Sequence, residues 1–310
     1  MRPLPFLILL VLATFILTTA HATSWADEHH DDHHGEHKAH HQQTDCAEGG
    51  RSQCTNFLQL EVVDLPKLDV GKAATIRFRL HRLSDKKALT FYDLKEVHTK
   101  KIHLFLNDQT LTDYHHLHPQ PSANDPSVFV VSFTPKALGD YRLWLDVVQL
   151  PTPGPRVAYR SRPPHTPING GPAALVVPAL TPAKVGIVET VTNQVTVGGL
   201  TATLRFDPFP LRPAQAAVGN IVIRDADGKP LTMLEPILGA FAHVVAFEAN
   251  GREIAHSHPI GQEPKNADER AGPELKFHLK PNFIGFVKIF VQVQVNGKDV
   301  IFPFGAVVEE

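Results

Sequence analysis

The chain has 310 residues, 43% hydrophobic and 20% charged, with 30 Lys and Arg against 32 Asp and Glu and a net charge of −2. That balance excludes a broad basic face for nucleic acid, and 2 cysteines are too few for a disulfide framework or a four-cysteine zinc site. The 19 histidines are the anomaly, because seven of them fall between His29 and His41.

The first feature in chain order is an address. Arg2 precedes the twelve-residue apolar run Phe6–Leu17, which exits through Thr18-Thr19-Ala20-His21-Ala22. At about 1.5 Å per residue a helix that short does not cross a bilayer. The basic start and Ala-x-Ala exit predict a secretory signal over residues 1–22, with Ala20 and Ala26 as alternative cleavage points. Nothing later reaches the roughly 18 consecutive apolar residues of a transmembrane helix. The expected product is periplasmic or secreted, and not an integral membrane protein. Residues 23–56 are polar and bury too little surface to offset their ordering entropy, so a disordered arm is predicted. His29, His30, His33, His34, His37, His40 and His41 make this arm a candidate metal-binding segment. Cys46 and Cys54 either close a disulfide, as an oxidising compartment favours, or add soft metal ligands.

From Phe57 the pattern turns to short β-type runs, among them Phe57–Val63, Ala74–Leu80, Lys101–Leu106, Val128–Phe133 and Tyr141–Val148. Alternation of apolar and polar residues between turn signals predicts an antiparallel sandwich over 57–150. Residues 149–183 hold nine prolines, and 151–183 reads as a semi-rigid extended linker. The strand pattern resumes after Lys184, giving a second sandwich over 184–310. The predicted class is all-β, with two tandem immunoglobulin-like antiparallel β-sandwich domains behind a signal peptide and a His-rich arm.

The two halves repeat. Ile102–Pro119 aligns without a gap on Ala242–Pro259 at an offset of 140, which matches His103, His116 and His118 with His243, His256 and His258. Pro135-x3-Gly139 matches Pro281-x3-Gly285 at an offset of 146. Asn250-Gly251 reads as a two-residue hairpin turn, so residues whose numbers sum to 501 lie opposite one another. His243 then faces His258, with His256 on the same side. A turn at Thr110-Leu111 places His103, His118 and His116 likewise. Opposed Cβ atoms lie about 4.5–5.5 Å apart, close enough for three imidazoles to ligate Cu2+ or Zn2+. Two separable, equivalent metal triads are expected. The competing account is a histidine at a strand end that bonds a carbonyl and organises a corner. His98 and His115 occur only in the first unit and read as surface residues, while His165 and His278 lack a partner at useful spacing.

The strand-turn-strand ending His-x-His-Pro, followed by Pro-x3-Gly and an aromatic strand, resembles bacterial exported immunoglobulin-like repeats associated with heavy-metal and copper handling. The resemblance covers roughly residues 70–148 and 195–295 and implies a setting more than an activity. Only Met1 and Met233 offer a thioether, which argues against Cu(I) transfer and toward Cu2+ or Zn2+ on imidazole. There is no Gly-x-Ser-x-Gly elbow, no His-Glu-x-x-His helix and no phosphate-cradling glycine loop, so no catalysis is expected. The expected function is buffering or delivery of Cu2+ or Zn2+, with transition-metal ions as partners and another envelope protein as a further candidate. An envelope structural or adhesive module with structural histidines is the competing expectation.

Overall fold

A computed structural model describes residues 58–64, 68–82, 84–150, 166–169, 175–177, 189–251, 253–261 and 263–310, all within the compact unit Ala39–Glu310. The signal segment, the arm with its histidines His29 to His41, Cys46, Cys54 and His165 lie outside the described residues. Among the described residues there is no α-helix, and no helix is long and apolar enough to cross a membrane.

The first repeat contributes β1 (Leu58–Asp64), β2 (Ala74–Arg82), β3 (Leu94–Lys95), β4 (His103–Asp108), β5 (Tyr114–Leu117), β6 (Gln120–Pro121), β7 (Phe129–Phe133) and β8 (Gly139–Gln149). Strands β1-β2-β7-β6 form one sheet; β8-β4-β5 form the facing one, with β3 also on β8. Two short strands follow, β9 (Thr166–Asn169) and β10 (Leu175–Val177). The second repeat adds β11 (Gln194–Val197), β12 (Leu200–Asp207), β13 (Ala217–Arg224), β14 (His243–Glu248), β15 (Ile254–Ser257), β16 (Glu274–Leu279), β17 (Gly285–Val295) and β18 (Lys298–Val308). Its sheets run β11-β12-β13-β16 and β15-β14-β17-β18. Strand pairing within all four sheets is antiparallel. The all-β, tandem immunoglobulin-like reading holds.

Period-2 alternation fills each core. Ile76, Phe78 and Leu80 of β2 meet Leu104 and Leu106 of β4, and Ile221 and Ile223 of β13 meet Val244 and Ala246 of β14. Gly219 on β13 pairs with Phe277 on β16, and a Cβ there would lie 2.3 Å from the Phe277 ring. That ring is fully buried and has nowhere to move. Gly219→Ala should therefore lower stability by roughly 1–3 kcal/mol, read as a shifted denaturation midpoint.

Strands β4 and β14 are buried along their whole length, which one core cannot explain, since only every second side chain faces it. Their other faces enter a third apolar cluster of Phe105, Leu111, Tyr114, Trp144, Val245, Phe247 and Phe290. This cluster joins the repeats: Tyr114 stacks on Phe290 with centroids 4.3 Å apart, and Trp144 meets Phe247 at 6.2 Å. The repeats thus pack sheet to sheet through their hairpin-bearing faces.

Two local expectations are corrected. The segment 151–183 is not wholly a linker, because β9 and β10 pair with β8. The edge of β8 away from β4 offers unpaired backbone groups, and Pro167 sits there at an edge position, where its missing N–H costs little. The hairpin loops hold four residues rather than two. Glu248 N–H bonds Glu253 O and Gly251 N–H turns back to Glu248 O; Asp108, Asp113 and Leu111 do the same in the first repeat. Gly251 and Leu111 carry the positive φ, 65° and 56°, that such loops need. The loop centre does not move, so the register stays as expected.

Candidate metal centre

The register places the histidines as the spacing requires. Val244 pairs with Ser257 and Val245 with His256, while Leu104 pairs with Leu117 and Phe105 with His116. In each repeat the three rings share the face that meets the other repeat. His103 Nδ1 lies 3.1 Å from His116 Nε2, and His243 Nδ1 lies 3.4 Å from His256 Nε2 and 3.0 Å from His258 Nε2.

The triads are not separate sites, and that expectation is corrected. Ring centroids of His116 and His243 are 5.3 Å apart, and those of His103 and His256 are 5.4 Å apart. These spacings match those inside a repeat, 5.4 Å for His103 and His116 and 5.7 Å for His243 and His256. Ligating atoms of His103, His116 and His118 fall within 4.8 Å of one another, as do those of His116, His243 and His256 across the repeats. The cause is the apolar cluster beneath, which presses the two histidine-bearing faces together.

Hydrogen bonds fix most of the tautomers. A backbone carbonyl only accepts, so His103 Nε2–H donates to Val97 O at 3.0 Å and His243 Nε2–H to Ile237 O at 3.1 Å. His256 Nδ1–H donates to Asp146 Oδ2 at 2.8 Å. Gln292 gives its Nε2–H to Asp299 at 2.9 Å, which turns its Oε1 toward His116 Nδ1–H, also at 2.9 Å. The His256–Asp146 and His116–Gln292 contacts cross between repeats, and Asp146 and Gln292 stand at the 146 offset on β8 and β17. Each neutral imidazole has one proton, and in these four rings it is spent outward. His103 Nδ1, His116 Nε2, His243 Nδ1 and His256 Nε2 therefore turn lone pairs inward.

Burial, then charge on neighbouring rings, disfavours the protonated form of five of these histidines. His103 is pushed down to about 4, by burial first and then by His256. His118 falls to about 3, by burial and then by His103. His116, His243 and His258 lie well below the ordinary histidine value, again with burial as the largest cause. Neutral imidazole is the form that ligates. His118 Nε2 is also buried with no hydrogen-bond partner.

The sequence missed several participants. His98 is not a free-standing surface residue: its ring stacks on His258 at 3.6 Å, from a tight turn closed between Val97 and Lys100. His115 points away from the cluster and reaches Asp113 at 3.0 Å. Asp146 and Gln292 were detectable as polar residues two positions beyond Trp144 and Phe290 on an otherwise apolar face.

Among solved structures, the chain is similar to the Escherichia coli adhesin FdeC, at 15% identity over 82% of this chain and 65% of that one, TM-score 0.25. It is similar to invasin, a bacterial integrin-binding protein, at 15% identity over 80% and 39%, TM-score 0.20. A DUF4426 family protein of Pseudomonas aeruginosa PAO1 matches at 13% identity over 38% and 97%, TM-score 0.26. Scores this low bear on neither function nor partner. No curated protein matches the chain. A family model described as a domain of unknown function, DUF8832, matches residues 58–152 and 195–310. Those matches take in both sandwiches and more than half of the chain, and the protein belongs to the DUF8832 family.

Proposed function

We propose that this is an exported protein that binds a transition-metal ion, Zn2+ or Cu2+, through the histidines gathered between its repeats, for buffering or delivery rather than catalysis. One observation carries the reading: four rings, three of them buried and His116 partly so, spend their protons outward and leave lone pairs facing inward, 3.1 Å apart at His103 and His116. Facing lone pairs repel, and a cation between them converts that repulsion into ligation. The Asp146 carboxylate behind His256 and the carbonyls behind His103 and His243 are the outer partners that orient ligating imidazoles. The resemblance to exported repeats of heavy-metal handling supports the same setting. The arm, with seven histidines, adds weaker sites.

Titration calorimetry of the chelator-stripped full chain tests this. The expected result is one tight class of uptake at pH 7.5 that survives replacement of all seven arm histidines by Ser, and weak uptake that does not. The weak class should fade below about pH 6, because an exposed imidazole has a pKa of about 6.5. Absence of any tight uptake in the arm-substituted chain would leave the histidines as structural groups in an envelope interaction module.

A further inference from the structure

We infer that a single ion sits between the repeats in a tetrahedral cage of four histidines, His103 and His116 from the first repeat and His243 and His256 from the second. This rests on the metal-binding reading and specifies its ligand set, its stoichiometry and the class of ion. The six centroid separations among these four rings run from 5.3 to 6.2 Å. Six near-equal edges define a tetrahedron. Four imidazoles on one ion at about 2.0 Å put neighbouring nitrogens about 3.3 Å apart and ring centroids about 5 Å apart. The inward nitrogens stand 3.1 Å apart in the first repeat and 3.4 Å apart in the second. Each within-repeat pair is thus near its ligated spacing, and ligating atoms of His116, His243 and His256 already lie within 4.8 Å of one another across the repeats; His103 moves inward to join them as the fourth.

The same four rings are those whose second nitrogen is held by a carbonyl, Gln292 or Asp146. His118 and His258 lack such an anchor and flank the cage, with His98 stacked over His258. Charge also favours one ion over two. An ion in each within-repeat triad would place four positive charges in one buried cluster, against the Asp146 carboxylate on His256. Their mutual repulsion at such range outweighs what that carboxylate offsets. A closed tetrahedron of four nitrogens suits Zn2+, which has no ligand-field preference, and disfavours Cu2+, which prefers planar or tetragonal sets. The ion would bind the two repeats to one another.

The test uses the full chain with the arm histidines replaced by Ser, stripped of metal and titrated with Co2+. Tetrahedral Co2+ absorbs strongly in the visible and octahedral Co2+ weakly. The expected result is one equivalent with the strong spectrum, displaced by one equivalent of Zn2+. His116→Gln and His256→Gln, on different repeats, should each weaken Co2+ binding and alter that spectrum, whereas His118→Gln and His258→Gln should leave both unchanged. Asp146→Asn leaves all rings in place and should weaken Zn2+ by about 10–100-fold. Metal-free melting curves of each variant separate loss of ligation from loss of fold. Two equivalents, a weak spectrum, or unchanged Co2+ affinity and spectrum in His256→Gln would overturn the cage while leaving metal binding intact. No uptake at all would remove the functional reading with it.

Discussion

Replacing Phe247 with Ala should cost roughly 3–5 kcal/mol and divide one unfolding transition into two in a calorimetric scan. Phe247 is fully buried, yet it belongs to the cluster between the repeats rather than to either sandwich core. Tyr114 lies 5.8 Å from its ring, Phe290 5.9 Å and Trp144 6.2 Å. Tyr114 and Trp144 come from the other repeat, so truncation empties a cavity at the junction and leaves both cores filled. Each sandwich should remain folded while their coupling weakens. Because both histidine faces are held by this packing, metal uptake should weaken in the same variant. A single transition lowered as one, with metal response unchanged, would show that the junction does not couple the repeats.

In chelator, the folded state should lose stability as pH falls from about 6.5 toward 4. The sign follows from which state binds protons. His103 has its folded pKa lowered to about 4 and His118 to about 3, while in the unfolded chain both titrate near 6.5. Above 6.5 neither state is protonated and the stability is fully present. Below it the unfolded state takes up protons that the folded state refuses, so the balance shifts toward unfolding. A displacement of this size at His103 corresponds to about 3 kcal/mol. Denaturant titrations at pH 7.5 and 4.5 should show the fall, and it should be smaller in His103→Gln. Equal stability at the two pH values would contradict the buried neutral cluster.

Much of the site was legible in the sequence. The spacing His-x12-His-x-His, twice, fixed which residues oppose one another, and pairing of Val245 with His256 and Phe105 with His116 follows that register. The loops turned out longer than two residues, but they are centred where Asn250-Gly251 and Thr110-Leu111 stand, and the centre alone sets the register. Register and facing are local quantities, decided within some sixteen residues by the turn and the pleat.

Tertiary structure decided what that face meets. The unbroken apolar character of Leu104-Phe105-Leu106 and of Val244-Val245-Ala246-Phe247 says that both sides of β4 and β14 are covered, without saying by what. The answer depends on Trp144, Phe290 and Tyr114, which lie on other strands and act only once both sandwiches exist. Their packing merged two expected triads into one cluster. It also brought Asp146 to His256 and Gln292 to His116, and laid the His98 ring on His258. None of these pairs shares a hairpin or a fixed spacing. Chain pattern states how strongly a face must be buried, since that is a property of its own residues. Its partner is selected by the shape and apolar area of a surface more than a hundred residues away, and that selection exists only in the folded protein.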